Sequence, residues 1–508
     1  MSKELTLEEI QDFKGKYPKQ IWSLFFSEMW ERFCFYGMRG MLVFFMIDQL
    51  DFKEGQSQLQ YAAIQAFVYA FTFVGGLFAD KILGFRKSLF WGGSLMILGS
   101  ILLASNPHAL FFLGIAFTVV GTGFFKPNIS TMVGELYKKG DPRTDAGFSL
   151  FYAGINIGAF IGGYVCIAIG KGHLFPDLID AAHRWNVAFG LAALVMVVSL
   201  VNFYFTKRSL GPIGLQPKDT DKNGNEVNKP LWKEFTVYGC TILAIPLIMA
   251  MVKNTDYTDY FMFTIGPLTL IYLFYEMTKV TVEERKKLYA ALVFIFFSIL
   301  FWGIYEQAGG SLTIFAANNL NSDLLGIHLD PNGVNNSGGA LFIILLAPIF
   351  GALWIWLAKH KLNPNTVIKF GLGFIFLGLG YYVLFGTRFF ANAAGITSLD
   401  FFTLALLVIT FGELCLSPIG LSIMTKLSTV NLQGMMMGMW FLASAYGQYV
   451  AGIIGNNLSN SVVEGGSNLD KLYAYTQGYK DIALYAIVAG VILIAISPLV
   501  RKLMQDVK

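Results

Sequence analysis

Long apolar runs, broken by short polar stretches, set the pattern of this chain. A helix that crosses a bilayer needs about 20 mostly apolar residues. Fourteen such runs can be read, at roughly 20–49, 59–83, 86–105, 109–137, 146–171, 184–206, 232–252, 260–279, 288–317, 338–359, 365–386, 399–427, 433–459 and 479–504. Basic residues collect in alternate breaks, among them Lys81/Arg86/Lys87, Lys138/Lys139/Arg143, Lys207/Arg208, Arg285/Lys286/Lys287 and Arg501/Lys502. The breaks between them are poor in Lys and Arg, which by the positive-inside bias places both termini in the cytoplasm.

The longest internal polar stretch is "KRSLGPIGLQPKDTDKNGNEVNKPL", 207–231, with three prolines and three glycines. It reads as a cytoplasmic linker. Its "DTDKNG" (219–224) is like the opening of a calcium loop, but the twelfth position, where such a loop needs Glu, is Pro230.

A faint repeat divides the spans. "GTGFFKPN" (121–128) and "GELCLSPI" (412–419) each place Gly six residues before Pro, and Gly147 and Gly438 follow those prolines by twenty residues. Helices four and five of two halves would then correspond. Repeated halves are common in secondary transporters. The expected organisation is a cytoplasmic segment 1–19, a six-helix bundle 20–206, the linker 207–231, two additional helices 232–279 and a second six-helix bundle 288–504.

Composition agrees with an all-α membrane protein: 55% of the 508 residues are hydrophobic and 14% are charged, against about 25% charged in soluble domains. The net charge of +4 gives no reason to expect nucleic acid. The start, "MSKELTLEEIQDFKGKYPKQ", is polar and of mixed charge, unlike a cleavable leader. Cys34, Cys166, Cys240 and Cys415 stand far apart in apolar runs. They support neither a metal site nor a disulfide framework. No cofactor is expected, and without GxSxG or HExxH an enzyme is not expected either.

The first span, "SEMWERFCFYGMRG" (27–40), carries Glu28, Glu31, Arg32 and Arg39. At about 100° per residue these four, with Phe35 and Tyr36, fall within an arc of about 140°. Each charge would cost about 2.5–3.5 kcal/mol at a bilayer centre, so that face must meet protein or a wet cavity. Other ionisable groups read as buried within spans are Lys126, Glu306 and Glu413, making four acids against three bases. Burial disfavours an ionised carboxylate and a neighbouring cation favours it. A carboxylate whose cation is borrowed by a substrate therefore takes up a proton. The alternative is permanent ion pairs that only lock helices together.

"EMWERFCFYGMRG" resembles the ExxERFxYYG motif of the proton-dependent oligopeptide transporter family of the major facilitator superfamily. "GGLFADKILGFRK" (75–87), "FYAGINIGA" (151–159), "GTGFFKPNIS" and "GELCLSPIGLS" resemble further motifs of that family and superfamily. The resemblance runs from about residue 20 to 504. It implies the major facilitator fold, two six-helix bundles with two extra helices between them, and proton-coupled import of di- and tripeptides across a bacterial inner membrane, with a monomer expected. A relative carrying nitrate or a modified amine is the alternative.

By the resemblance, Glu28, Glu31 and Arg32 take part in proton coupling beside Lys126 and Glu306. Arg39, Tyr36 and Lys126 would hold the peptide carboxylate, Glu413 would face its amino terminus, and Asn156 would contact its backbone. Glu306 matches an acid thought to pair with Arg39, and Tyr69 and Trp440 match pocket walls. A dipeptide's charged ends lie about 5–8 Å apart, which suits bases in one half and an acid in the other. The sequence departs from the family pattern at Phe35, where the motif has Tyr. Asn335 and Asn336 fall before the predicted span rather than inside it. No His falls in a predicted span, leaving the proton to carboxylates. Gly154, Gly158 and Gly162 read as a close-packing stripe, and Trp440 could equally be packing.

Overall fold

The computed structural model describes residues 5–138, 140–220, 225–416, 420–429, 432–463, 465–505 and 507. A short helix, α1 (Leu7–Gln11), precedes α2 (Ile21–Asp48), α3 (Glu54–Phe78), α4 (Phe85–Ser105), α5 (Pro107–Glu135), α6 (Thr144–Gly170) and α7 (Arg184–Thr206). Then come α8 (Leu231–Lys253), α9 (Thr255–Met277), α10 (Val282–Tyr305), α11 (Ser311–Asn319), α12 (Pro331–Lys359) and α13 (Thr366–Gly386). The chain closes with α14 (Leu399–Leu416), α15 (Gly420–Leu427), α16 (Gln433–Asn460), α17 (Asn468–Ala495) and α18 (Ser497–Met504). Among the described residues, twelve helical runs are long and apolar enough to cross a membrane. The long helices α2, which carries the four charges, and α16, which carries Gln448, Asn456 and Asn457, bring the count to the fourteen expected.

Several helices start earlier than hydropathy predicts, α12 and α17 by the most. α12 begins at Pro331, with the Asp330 side chain accepting from the Gly333 N–H at 2.7 Å. Asp followed by Pro is a helix-start signal, and Asn335 and Asn336 therefore lie inside α12 and not before it. α17 begins at Asn468 under a Ser467–Asp470 capping box, eleven residues before the expected 479 and well into polar sequence. α5 likewise starts at Pro107, which brings His108 into its first turn.

The span expected at 288–317 is broken. α10 stops at Tyr305, a 3-10 turn covers Glu306–Gly309, and α11 resumes at Ser311. A break in apolar surroundings frees carbonyls that need donors. The Tyr381 hydroxyl donates to the Ile304 carbonyl (2.8 Å), and the Asn335 amide and Thr313 hydroxyl donate to the Ala308 carbonyl (2.8 and 2.9 Å). The Gln307 amide donates to the carbonyls of Gly303 and Ala451, while its oxygen accepts from Ser311.

The chain divides into two compact units. The first is drawn from residues up to Leu42 and from Phe67–Lys253; the second from Val43–Ala66 and from Asn254 onward. In the first unit, glycines let helices touch backbone to backbone. A Cβ added at Gly92 on α4 would lie 2.5 Å from the Gly121 carbonyl on α5, and one at Gly99 would lie 2.5 Å from the Gly114 carbonyl. On α6, a Cβ at Gly154 would press on the Phe25 ring, and those at Gly158 and Gly162 would strike the carbonyls of Met29 and Phe33 on α2. The expected stripe thus carries α6 against the charged helix.

In the second unit, Gly412 on α14 and Gly373 on α13 face each other as Gly121 and Gly92 do, a Cβ at Gly412 lying 2.6 Å from the Gly373 carbonyl. The first glycine of both repeats therefore does the same work. The Pro418 of the second repeat lies outside the described residues. The tip of α3 also belongs to this unit: Lys471 pairs with Glu54 at 2.7 Å, Tyr475 donates to the same carboxylate at 3.2 Å, and Gln58 donates to Ser459 on α16.

The stretch read as a free linker is partly folded. Arg86 donates to the carbonyls of Ile213 (2.7 Å) and Gly211 (2.5 Å), and its backbone N–H to that of Gly214 (2.9 Å). Asp219–Thr220 pairs antiparallel with Glu226–Val227. Asp219, the first position of the calcium-like stretch, is taken by Lys229 and Lys233, which hold its carboxyl below the usual range; 221–224 lie outside the described residues.

Replacing Gly158 by Ala should cost about 1–3 kcal/mol, the usual price of overpacking, because the obstacle is backbone. Gly239 on α8 has nothing within 4 Å of an added Cβ, and Gly239→Ala should leave stability unchanged or raised. Thermal melting of both purified variants checks this, and equal melting would remove the stripe's structural role.

Candidate functional site

Three of the four charges on α2 are buried. Glu28, Glu31 and Arg32 are 2%, 0% and 1% exposed. Glu28 and Arg32 stand one turn apart, the spacing at which helical side chains meet, with Arg32 Nε 3.1 Å from Glu28 Oε1. The same Nε donates to Glu31 Oε2. One nitrogen therefore serves two carboxylates. Glu28 Oε2, Glu31 Oε1 and Arg32 Nη2 have no hydrogen-bond partner among the described residues. Each such buried polar atom costs about 1–3 kcal/mol. A purely structural staple would be expected to use them.

Lys126 lies on α5 next to Pro127, which sits in the helix interior and supplies no N–H to the Gly123 carbonyl. Its ammonium is 4.4 Å from the centre of the Tyr69 ring, a cation–π contact. It makes no direct ion pair among the described residues, yet is within electrostatic reach of Glu28, Glu31, Arg32 and Arg39. Locally, two carboxylates are balanced by Arg32 and Lys126, and only Arg32 touches them. One turn beyond Tyr36, the Arg39 guanidinium lies 5.7 Å from the Tyr36 ring centre; both side chains are half-buried. Asn156 is buried on α6 and its amide donates to the Tyr152 carbonyl four residues earlier, at 2.9 Å.

The second unit holds the remaining expected residues. Glu306 is buried in the break after α10, and Glu413 is buried on α14 and within electrostatic reach of Glu306. Tyr305 donates its hydroxyl to Glu413 Oε2. Trp440 is buried on α16 against Gly420, where an added Cβ would lie 2.8 Å from the indole Cε2, so it packs on backbone whatever else it does. Sequence reasoning missed Tyr305 and Gln307, and placed Asn335 ahead of its helix. The available signals were a Tyr beside a buried acid, a Gln in an apolar run, and an Asp-Pro start that brings Asn335 into a helix. Of the seven charges, the first unit has two acids and three bases, and the second has two acids.

A family model described as the POT family matches residues 86–468. The chain belongs to the POT family. The uncharacterized transporter YclF of Bacillus subtilis is 30% identical over 97% of this POT-family chain and 96% of its own length. The peptide transporter YePEPT of Yersinia enterocolitica is 33% identical over 96% of each. A solved structure of a mutant of the peptide transporter POT in complex with alafosfalin is 32% identical, covers 99% of this chain and all of that one, and superposes with a TM-score of 0.79.

Removing one partner of a buried charge cluster costs about 3–5 kcal/mol. Arg32→Met should accordingly lower the melting temperature sharply, and adding Glu31→Gln should recover part of the loss. An Arg32→Met protein that melts like the parent would mean that the carboxylates are not held by Arg32.

Proposed function

We propose that this chain is a proton-coupled symporter that imports di- and tripeptides by alternating access through a bacterial plasma membrane, both termini lying in the cytoplasm. Membership of the POT family supports the transporter class, and relatives named as peptide transporters support the substrate. The observation that carries the coupling is the sharing of the Arg32 Nε by two buried carboxylates while Lys126 stands near them without touching either.

With both acids ionised, the cluster of Glu28, Glu31, Arg32 and Lys126 is neutral. A peptide carboxylate taken up by Arg39, Tyr36 and Lys126 engages Lys126, the cation of that cluster that makes no ion pair among the described residues. Glu28 and Glu31 then compete for Arg32 alone, and the carboxylate that loses takes a proton. Glu28 or Glu31 is the favoured acceptor, with Glu306 next. On this reading Glu413 receives the peptide's ammonium, Asn156 meets its backbone, and Tyr69 and Trp440 line the pocket. The bundles 20–206 and 288–504 would be the moving parts, with 232–279 as additions to them.

One proton entering with one zwitterionic peptide moves one net charge. Each charge gains about 2.3 kcal/mol per 100 mV. At about 150 mV that is roughly 3.5 kcal/mol, enough for roughly 300-fold accumulation at 1.36 kcal/mol per tenfold.

Lys126→Ala should abolish pH-driven accumulation of dialanine in proteoliposomes, because Glu28 and Glu31 then have no second cation beside Arg32 that the peptide carboxylate could withdraw. Counterflow exchange, which needs binding and isomerisation but no driving proton, should persist in part and shows that the variant is folded. Full pH-driven accumulation by Lys126→Ala would sink the assignment.

A further inference from the structure

The only hydrogen bond that the described residues give the Glu413 side chain comes from the Tyr305 hydroxyl. That donor is held from several sides. Its ring stacks on Phe301 (centroids 5.9 Å apart, planes 14° from parallel) and meets Trp302 edge-on at 5.3 Å. Tyr305 is also the last residue of α10, where the Tyr381 bond to the Ile304 carbonyl and the bonds of Gln307 fix the backbone. The hydroxyl is therefore placed by the break in the helix, and it reaches an acid 108 positions further along the chain.

An ionised carboxylate offers about four acceptor sites, and a phenol fills one of them. The remaining oxygen, Oε1, is left for a second donor. A Glu side chain with no such tether would sample several rotamers and would have to be ordered when a ligand arrives. Glu306, the neighbouring acid, cannot supply the tether while ionised, since a carboxylate is an acceptor only.

We propose that Tyr305 is a positioning residue for transport: its hydroxyl holds Glu413 with one oxygen aimed for a substrate ammonium, and so sets the preference for peptides with a free amino terminus. The proposal rests on the reading of Glu413 given above. Tyr305 acts through Glu413; it need not touch the peptide.

The test compares Tyr305→Phe, Glu413→Gln and the double variant, using dialanine and N-acetyl-dialanine in proteoliposomes. Tyr305→Phe keeps the ring and its stacking, so folding should be retained. Its KM for dialanine should rise about tenfold, the size of one hydrogen bond to a charged group, with the maximal rate within about twofold and the inhibition constant of N-acetyl-dialanine unchanged. In the Glu413→Gln background, Tyr305→Phe should add less than about a twofold change. Equal weakening for both ligands, or a full additional effect in the double variant, would overturn the proposal. The reading of Glu413 fails separately, if Glu413→Gln alone weakens both ligands alike. The double variant then still decides whether Tyr305 works through Glu413, and an additive result overturns that.

Discussion

Charge inside hydrocarbon is tolerated only where protein surrounds it, and in the first unit that requirement shapes the packing around α2. Three groups at about 2.5–3.5 kcal/mol each must be covered, and α6 contributes on one flank, brought down to backbone contact with α2 by Gly154, Gly158 and Gly162, with a Cβ at Gly158 lying 3.0 Å from the Arg32 Cβ. The packing as a whole leaves Glu28, Glu31 and Arg32 almost wholly enclosed. It does not satisfy them, since three of their polar atoms lack partners among the described residues. A buried polar network with gaps is costly, and the gaps are where a proton or a substrate charge has something to gain.

The two units repeat a packing device and differ in chemistry. Gly121 meets Gly92 in one, and Gly412 meets Gly373 in the other. The first unit concentrates cations on α2 and α5. The second places its acids at a broken helix and on α14, and gives one of them a phenolic donor. The break is stabilised by side-chain donors from Tyr381, Asn335, Thr313 and Gln307, which is how apolar surroundings tolerate an interrupted helix. The same residues that repair the backbone fix the position of Tyr305 and Glu306, so fold and site are built from one set of bonds.

Much of this was legible in the sequence because a spanning helix writes itself as hydropathy. The charged face of α2, the glycine stripe of α6 and the lone Lys126 stood out for the same reason, being rare residues in apolar runs. The early starts of α12 and α17 were lost where their first turns are polar, although Asp330-Pro331 and the Ser467–Asp470 box were readable signals of local chemistry. The break at Glu306–Gly309 was averaged away by the strongly apolar turns of α10 before it. Nothing local announced that Tyr305 reaches Glu413, or that Arg86 gathers the carbonyls of Gly211 and Ile213, because those contacts join residues more than a hundred positions apart. A stretch rich in glycine and proline looked like a tether for want of that partner.

On the proposed function, the charges on α2 couple a proton to the substrate and do more than tie helices together. The most direct measurement loads proteoliposomes with a pH-sensitive dye, imposes an inside-negative potassium diffusion potential at equal pH on both sides, and adds dialanine outside. With such coupling the interior should acidify as the peptide enters, both signals should grow with the potential, and a protonophore should collapse peptide accumulation. Peptide entry at the same rate with no acidification and no response to voltage would contradict it, and would make the chain a facilitator with an ion-paired core.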